Sequence, residues 1–445
     1  MDEFFKSAAR FYWATALFGA RQLGGVLSPG EADGAREAFD SVTRATEGQL
    51  GGALKRLFRA GDQAQRGFWD AASGVAAGDA LTSRGMMRTT LEAVRQSAGA
   101  LGQLVQGGDA RASLLEFQNK LQVFNLFEHA DAVLGLPREA GADLPELVGR
   151  TRSLDSFLRV WATEGVGYYY AEVTWEARGA PRGLLTDGAA RGVPAHGMAA
   201  LHAGMGLSLA GRVLGSLAQG GREPGRELQA ALGQFVALCR DNSAEGYVGA
   251  AYEALGLVTR NLYPHLVTEI DRQLGGAGDH LAEFFWHGVG RAIYFAPTNY
   301  VPVGGGARRA LEMSQREPPH ELGRLNAQAG VAWALLLVNL RHPEVIKSAL
   351  RQCGEGALRG DAFANGVSSA AVVWRDSTAD DPHLGELCRY RPGPDAPPGA
   401  AARWRELVEL PCRRALDTFY EPLRRRGLLG EVFRYRSLAG LSEES

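Results

Sequence analysis

Apolar residues recur three or four positions apart over most of the chain, which is the spacing of an amphipathic α-helix. Residues 112–135 illustrate the pattern, with Leu114, Phe117, Leu121 and Phe124 separated by three or four positions. Runs that alternate apolar and polar residues and are rich in Val, Ile and Thr, as in a half-buried strand, are nearly absent. The pattern therefore predicts an all-α fold.

Six segments within this pattern resemble one another. Each has a glycine, usually after a polar or small residue, followed by Val, Met or Tyr and an apolar helical run. The intervals between these glycines are 39, 42, 42, 42 and 36 residues, and three equal intervals in a row indicate an internal repeat. A period of about 40 residues suits one pair of helices per repeat. The glycines are Gly165, Gly204, Gly246, Gly288, Gly330 and Gly366.

The repeats divide the chain into three parts. We expect a helical N-terminal region at 1–150, glycine-led helix-pair repeats at 151–400 and a C-terminal helical cap at 401–445. Glycine in a helix costs about 1 kcal/mol relative to alanine, so six glycines at helix N-terminal turns need a common compensation. Close packing of neighbouring helices is the compensation we favour. A backbone N–H group presented to a ligand at a helix start is the alternative.

Composition limits the classes of partner. The net charge of −2 over 445 residues gives no electrostatic basis for binding nucleic acid. The four cysteines stand far apart and none has the C-x-x-C spacing of a zinc or redox site, so we expect buried thiols in a reducing, cytoplasmic compartment. They are Cys239, Cys353, Cys388 and Cys412.

The stretch at residues 4–27 is apolar enough to raise the question of membrane contact. Lys6, Arg10 and Arg21 interrupt its apolar run, so it matches neither a secretion signal nor a transmembrane helix. Its apolar residues recur at helical spacing, which predicts an amphipathic helix. Such a helix packs on the protein or a partner, and peripheral contact with a membrane surface is the alternative.

Polar residues near the repeat glycines supply the candidate binding site. The segment EGVGYYYAEVTWE at 164–176 combines glutamates with three consecutive tyrosines, and polar residues recur beside later repeat glycines. Three consecutive tyrosines cannot share one helix face, so at least one points away from the local core. Paired carboxylates can perform acid–base work, although ordinary ion pairing explains them equally well. The ligand-binding candidates are Glu164, Tyr168, Tyr169, Tyr170, Glu172, Glu245, His287, Tyr294, Trp333 and Asn365.

Established catalytic motifs are missing from the sequence. There is no nucleophile elbow, no phosphate-binding loop and no H-E-x-x-H pair. We therefore predict no metal site, and the sequence leaves the catalytic residues and any cofactor unknown. Asp376, Asp380, Asp381 and Glu386 resemble the aspartate-rich motifs of terpene cyclases, but their spacing does not match D-D-x-x-D.

The later repeat segments also resemble a known family. HGVGRAIYF at 287–295, AGVAWALLL at 329–337 and FANGVSSAAVVW at 363–374 are similar to those of an uncharacterised bacterial family. Its members are encoded beside enediyne-type polyketide synthases. The resemblance covers roughly residues 160–440 and implies a biosynthetic context, without assigning a role to any residue.

Three functions follow as hypotheses. The first is a protein of a polyketide- or polyene-type pathway that holds or processes a long apolar intermediate in an aromatic-lined cavity. The second is a scaffold that binds pathway proteins on a concave solenoid surface. The third is an isoprenoid cyclase that uses the acidic stretch. Convergence of Glu164, Glu245 and His287 in one closed cavity would favour the first.

Overall fold

The computed structural model describes residues 108–443 with short gaps at 129, 138–140, 187, 189, 195, 218–223, 277–279, 297–298, 300–304, 354–357, 379–380 and 394–395. The amphipathic stretch at 4–27 and the first 107 residues of the predicted N-terminal helical region lie outside these residues. The chain divides into two compact units, Met1–Leu121 and Gln122–Ser445. Every regular element in the described residues is helical, so the all-α prediction is confirmed there.

Helices are numbered here from the first described one. The α-helices are α1 (Gly108–Glu128), α2 (Ala130–Leu134), α3 (Leu144–Arg150), α4 (Ser156–Arg178), α5 (Met198–Leu217), α6 (Pro224–Asn242), α7 (Val248–Leu262), α8 (Val267–Leu274), α9 (Leu281–Tyr294), α10 (Gly306–Arg316), α11 (Glu321–Asn339), α12 (Pro343–Gln352), α13 (Gly360–Ser377), α14 (His383–Arg389), α15 (Ala400–Trp404), α16 (Leu410–Arg414), α17 (Tyr420–Arg425) and α18 (Leu438–Glu443). Two π-helical segments, Arg405–Glu409 and Ala415–Phe419, join α15, α16 and α17 into one rod. Short 3₁₀ turns occupy Thr151–Ser153, Pro264–Leu266 and Leu429–Phe433.

Six helices form the centre of the second unit: α4, α5, α7, α9, α11 and α13. We call them the central helices. Each packs against the next in this order, and α13 also contacts α4 and α5, so the row curves back on itself. Helices α6, α8, α10, α12 and α14 pack against the central helices, and we call them the flanking helices.

Glycines set the distance between the central helices. A Cβ atom added to Gly204 would lie 1.8 Å from the carbonyl oxygen of Glu164 in α4. The same addition at Gly206 would lie 2.4 Å from the carbonyl oxygen of Ala251 in α7. Residues two apart on a helix point about 200° apart. One glycine of a G-x-G pair therefore contacts the preceding central helix, and the other contacts the following one.

The pattern recurs along the row. Gly288 approaches the carbonyl oxygen of Glu253 in α7, and Gly290 approaches that of Ala327 in α11. Gly330 packs in the same way against His287 of α9. Close backbone packing is therefore what these glycines provide, as the sequence indicated.

The predicted position of the glycines within their helices is wrong. Gly165, Gly204, Gly288, Gly330 and Gly366 lie inside helices rather than in first turns, because the contacts between helices occur near their middles. Gly246 differs again, since it precedes α7 with a φ of +82°. A side chain there would adopt a strained backbone and would meet the carbonyl oxygen of Gly427.

Local signals account for several helix ends. The carboxylate of Asp155 accepts a hydrogen bond from the N–H of Leu158 at the start of α4. Gly179, with a φ of +75°, ends the same helix. Pro343 opens α12, where its missing N–H group would have no helical partner.

Candidate functional site

Four charged or titratable side chains meet in the interior between α4, α7 and α9. We call them the buried ionic cluster: Glu164, Glu253, His287 and Arg291. Each is at most 4% exposed. Arg291 donates from Nη2 to Glu164 Oε1 and from Nη1 to Glu253 Oε2, both at 2.9 Å. Arg291, which lies in α9, therefore links α4 early in the row to α7 and α9.

His287 joins the cluster through the carboxylate of Glu253. Its Nδ1 lies 3.1 Å from Glu253 Oε1, and because a carboxylate only accepts, Nδ1 carries the proton. Burial lowers the pKa of His287, against the opposing effect of Glu253, so the ring is neutral near pH 7. Its Nε2 then holds a lone pair, and no hydrogen-bond partner faces it.

The cluster has two carboxyl groups and one guanidinium, so it carries one excess negative charge when both glutamates are ionised. Burial raises the pKa of Glu164 above its ordinary value, although Arg291 opposes this shift. For Arg291, burial acts to lower the pKa, but Glu164 and Glu253 raise it above its ordinary value. The arginine thus stays charged while Glu164 gains affinity for a proton, which moves the cluster towards neutrality.

Aromatic rings enclose the cluster. The Arg291 guanidinium carbon lies 4.5 Å from the ring centre of Trp333, a distance typical of a cation–π contact. Trp333 also lies 6.5 Å from Trp161 and 5.8 Å from Phe433, measured between ring centres. Phe433 comes from the 3₁₀ turn near the C-terminus, so residues from both ends of the second unit contribute to these surroundings.

Several polar atoms of this region have no hydrogen-bond partner, although they are buried. They belong to His287 (Nε2), Arg291 (Nε), Trp161 (Nε1) and Trp333 (Nε1). Unpartnered indole nitrogens occur elsewhere, so a single one carries little meaning. What distinguishes this site is that four such atoms lie within one set of contacting side chains, whereas buried polar groups are normally paired.

The structure brings together only some of the predicted binding residues. Glu164, His287 and Trp333 meet at the cluster. Tyr294 lies close by and is fully buried, with its hydroxyl oxygen accepting from Asn339 Nδ2 at 2.8 Å. Asn365 is half-buried and donates from Nδ2 to the carbonyl oxygen of Arg436.

The other candidates lie away from the cluster. Glu245 is exposed before α7, so it does not converge with Glu164 and His287. Glu172 pairs with Arg212 of α5, because α5 packs along this face of α4. Tyr168 is exposed, as the three-tyrosine argument requires, while Tyr169 and Tyr170 are half-buried.

Sequence reasoning missed Glu253 and Arg291. Both interrupt apolar helical segments, AAYEALGLV and HGVGRAIYF, and a charge within an apolar face was the signal that could have identified them. No local sequence feature marked Phe433, because its position beside the cluster depends on the path of the C-terminal chain.

Two surface cavities, of about 270 and 300 Å³, lie beside α14. None of the ligand-binding candidates lines either, but Asp381 of the acidic stretch lines the first and Glu386 lines the second. Within the described ranges, no group of three or more His, Cys, Asp or Glu side chains is arranged to hold a metal ion. None of the helices described there combines the length and apolar character that a bilayer crossing requires.

Comparison with known proteins adds no relative: the chain matches no protein-family model, no curated protein sequence and no solved structure. The resemblance to the polyketide-associated family therefore stays an expectation.

Proposed function

We propose that this protein holds or processes an apolar, polyketide- or polyene-type intermediate of a bacterial specialised-metabolite pathway at the buried ionic cluster. The observation that carries the proposal is the group of four unpartnered polar atoms among Trp161, Trp333 and Phe433. Binding sites for small molecules combine mostly apolar walls with a few placed polar groups, and this region has that composition.

The polar atoms suggest what the ligand carries. The unpartnered nitrogens of Arg291, Trp161 and Trp333 are donors, whereas Nε2 of neutral His287 is an acceptor and a base. A ligand with a conjugated or aliphatic body and one carbonyl or carboxyl group matches these atoms. Because Glu253 fixes the ring of His287, Nε2 could also take a proton from such a ligand.

The repeat array forms part of the same proposal. We infer that residues 151–400 are helix pairs of about 40 residues, in which the central helices are the first members and, from α5 onward, the flanking helices are the second. The glycine contacts between successive central helices support this reading. The cluster residues are at most 4% exposed, and this burial, which would shield a ligand from water, supports the proposal.

The alternatives receive less support. A protein-binding scaffold would present an apolar surface, but in the described part of the chain the exposed large apolar side chains are those of Tyr168, Leu262 and Leu322, on three different helices. For an isoprenoid cyclase, the acids of the 376–386 stretch would face a shared cavity. Instead, Asp376 is fully buried against Tyr420, and Asp381 accepts from Ser156 and His383.

Fluorescence with the conjugated tetraene cis-parinaric acid tests the proposal. This probe has a linear apolar body and one carboxyl group, and tryptophan emission can transfer energy to it. We expect saturable binding to the full-length protein, with quenching of tryptophan emission. Trp333→Phe should weaken binding by about tenfold, because the ring remains but its N–H donor is lost.

Trp404→Phe is the matched control. Trp404 is also fully buried with an unpartnered Nε1, but it lies in α15, where its ring is tilted against that of Tyr390 rather than placed at the cluster. Its substitution should leave the affinity for cis-parinaric acid unchanged. Equal loss in both variants, or no saturable binding to the wild-type protein, would contradict the proposal. Mass spectrometry of solvent extracts from protein made in a polyene-producing bacterium would then identify the natural ligand.

A further inference from the structure

The segment at residues 427–436 crosses the beginnings of four central helices, and we call it the C-terminal strap. The N–H of Gly430 donates to the carbonyl oxygen of Gly246, just before α7, at 2.7 Å. The N–H of Tyr435 donates to Asn326 Oδ1, in the second turn of α11, at 2.6 Å. These bonds hold the strap at two points.

Two further contacts anchor the strap. Asn365 of α13 donates from Nδ2 to the carbonyl oxygen of Arg436 at 2.5 Å. Arg434 pairs with Glu283, in the first turn of α9. These polar anchors lie near the beginnings of helices, and the buried side chains of Leu429 and Val432 add apolar contacts. Gly430 packs closely on Gly246 and Gly249, but the glycine contacts between successive central helices do not involve the strap.

Phe433 is the part of the strap that reaches the buried ionic cluster. It is 1% exposed, and its ring centre lies 5.8 Å from that of Trp333 and 6.4 Å from that of His287. A phenyl ring can offer neither a hydrogen-bond acceptor to Trp333 Nε1 nor a donor to His287 Nε2. With the strap in place, both polar atoms therefore remain buried and unpartnered.

We propose that the C-terminal strap is a gate over the buried ionic cluster, and that Phe433 fills the place of the ligand's planar apolar group until the strap lifts. The inference rests on the proposed function, because it assigns a subsite to the same ligand. A conjugated ligand with a carbonyl group would replace the ring contacts of Phe433 and also pair the atoms that Phe433 leaves unpaired. This difference favours exchange of the strap for the ligand.

The backbone of the strap suits such a movement. Gly427 begins the strap with a φ of +62°, a conformation that favours glycine. The 3₁₀ turn at Leu429–Phe433 is short, and residues 435–437 after it have no regular structure. Lifting the strap breaks its anchors but leaves the contacts among the central helices intact.

Chemical modification of His287 tests the gate without any ligand. Diethylpyrocarbonate modifies neutral imidazole, and peptide mass spectrometry can compare His287 with exposed His265 in the same full-length protein. We expect slow modification of His287 in the wild-type protein. Phe433→Ala should raise its rate relative to His265 by about tenfold or more, because the strap opens locally.

Phe235→Ala is the matched control, since Phe235 is a buried phenylalanine at 1% exposure in α6, outside the cluster and the strap. It imposes a similar loss of packing without uncovering His287. Equal modification of His287 in the two variants would overturn the gate. If Phe433→Ala does not fold, Asn365→Ala provides the test instead, because it removes only one hydrogen bond that anchors the strap. A rate at His287 no higher than in Phe235→Ala would again overturn the inference.

Binding of cis-parinaric acid separates this inference from the proposed function. Phe433→Ala should bind the probe more tightly than the wild-type protein, because no side chain competes for the subsite. Uncovering of His287 without probe binding in either protein would overturn the proposed apolar ligand while supporting the movement of the strap. Probe binding together with equally protected His287 in both proteins would overturn the gate alone.

Discussion

Arg291 is the residue on which the buried ionic cluster depends. It is the cation that pairs with two glutamates, and both would remain buried without a counter-charge if it were removed. Burial of an unpaired carboxylate is costly, whereas a paired one is tolerated. The arginine also connects α9 to α4 and α7, so the same interaction fixes the relative positions of three helices.

Arg291→Met should lower the free energy of unfolding by about 3–5 kcal/mol, because it leaves Glu164 and Glu253 without a cation. Urea denaturation of the full-length protein measures this change. Arg272→Met is the control, since Arg272 pairs with Glu269 on the surface, and its loss should have no measurable effect. Similar unfolding midpoints for the two variants would contradict the account of the cluster.

Asp376 is the second residue with an unusual environment. It is fully buried at the end of α13, where its Oδ1 accepts from the Tyr420 hydroxyl at 3.2 Å. Burial raises the pKa of Asp376 to about 7, although Tyr420 and Arg424 oppose the shift. The folded protein therefore binds a proton at this carboxyl group that the unfolded chain, with a pKa near 4, releases.

Stability should depend on pH through Asp376. Because folding raises the pKa of Asp376, its protonated carboxyl group contributes to the free energy of unfolding. This contribution is complete below about pH 4 and is lost as the pH rises to about 7. Asp376→Asn abolishes this titration and keeps an acceptor for Tyr420. The unfolding free energy of the variant minus that of the wild type should rise by at most about 1.4 kcal/mol per pH unit over this interval, then stay constant. Urea titrations at several pH values measure the difference, and a flat difference would show that Asp376 titrates normally.

At the scale of helices, glycine acts in two opposite ways within α5. Gly204 contacts the backbone of α4 so closely that no side chain fits, as described above. Gly211 lies later in α5, and nothing lies within 4 Å of a Cβ atom added there. One helix therefore contains a glycine required for packing and another that only lowers helix stability.

Gly204→Ala should destabilise the protein by about 3 kcal/mol, because α4 and α5 must move apart to admit the methyl group. Gly211→Ala, in the same helix, should instead stabilise it by about 0.5–1 kcal/mol. Thermal unfolding of both variants tests the pair of expectations. Opposite signs would support the packing account, and equal destabilisation would contradict it.

Spacing alone predicted part of what these glycines do. Spacing indicated that these glycines serve close packing, because an apolar helix rarely keeps glycine without a reason. It could not indicate where along each helix the contact falls, since that depends on the neighbour. Gly246 entered the 42-residue series by position, yet it contacts the strap residue Gly427 instead of a central helix.

For the whole molecule, the four thiols report on unfolding. All are buried, and burial raises the pKa of Cys353 to about 11. Cys388 differs, because a hydrogen bond with Cys412 lowers its pKa. A lower pKa gives more thiolate, the form that reacts.

Ellman's reagent at pH 8 should therefore modify Cys388 first, and the other thiols only as fast as the protein unfolds. Cys388→Ser should remove the early phase and leave the slow phase unchanged. Early reaction of Cys239, which is fully buried in α6, would show that the unit opens more readily than its packing suggests.

The sequence by itself determined the helical class, the function of most repeat glycines in packing, and the candidacy of Glu164, His287 and Trp333. These properties depend on local spacing and on residue type, which a single chain displays directly. Only the tertiary structure decided that Glu253 and Arg291 join them and that Glu245 does not. It also placed Phe433 over His287, because contacts between residues more than a hundred positions apart depend on the path of the whole chain.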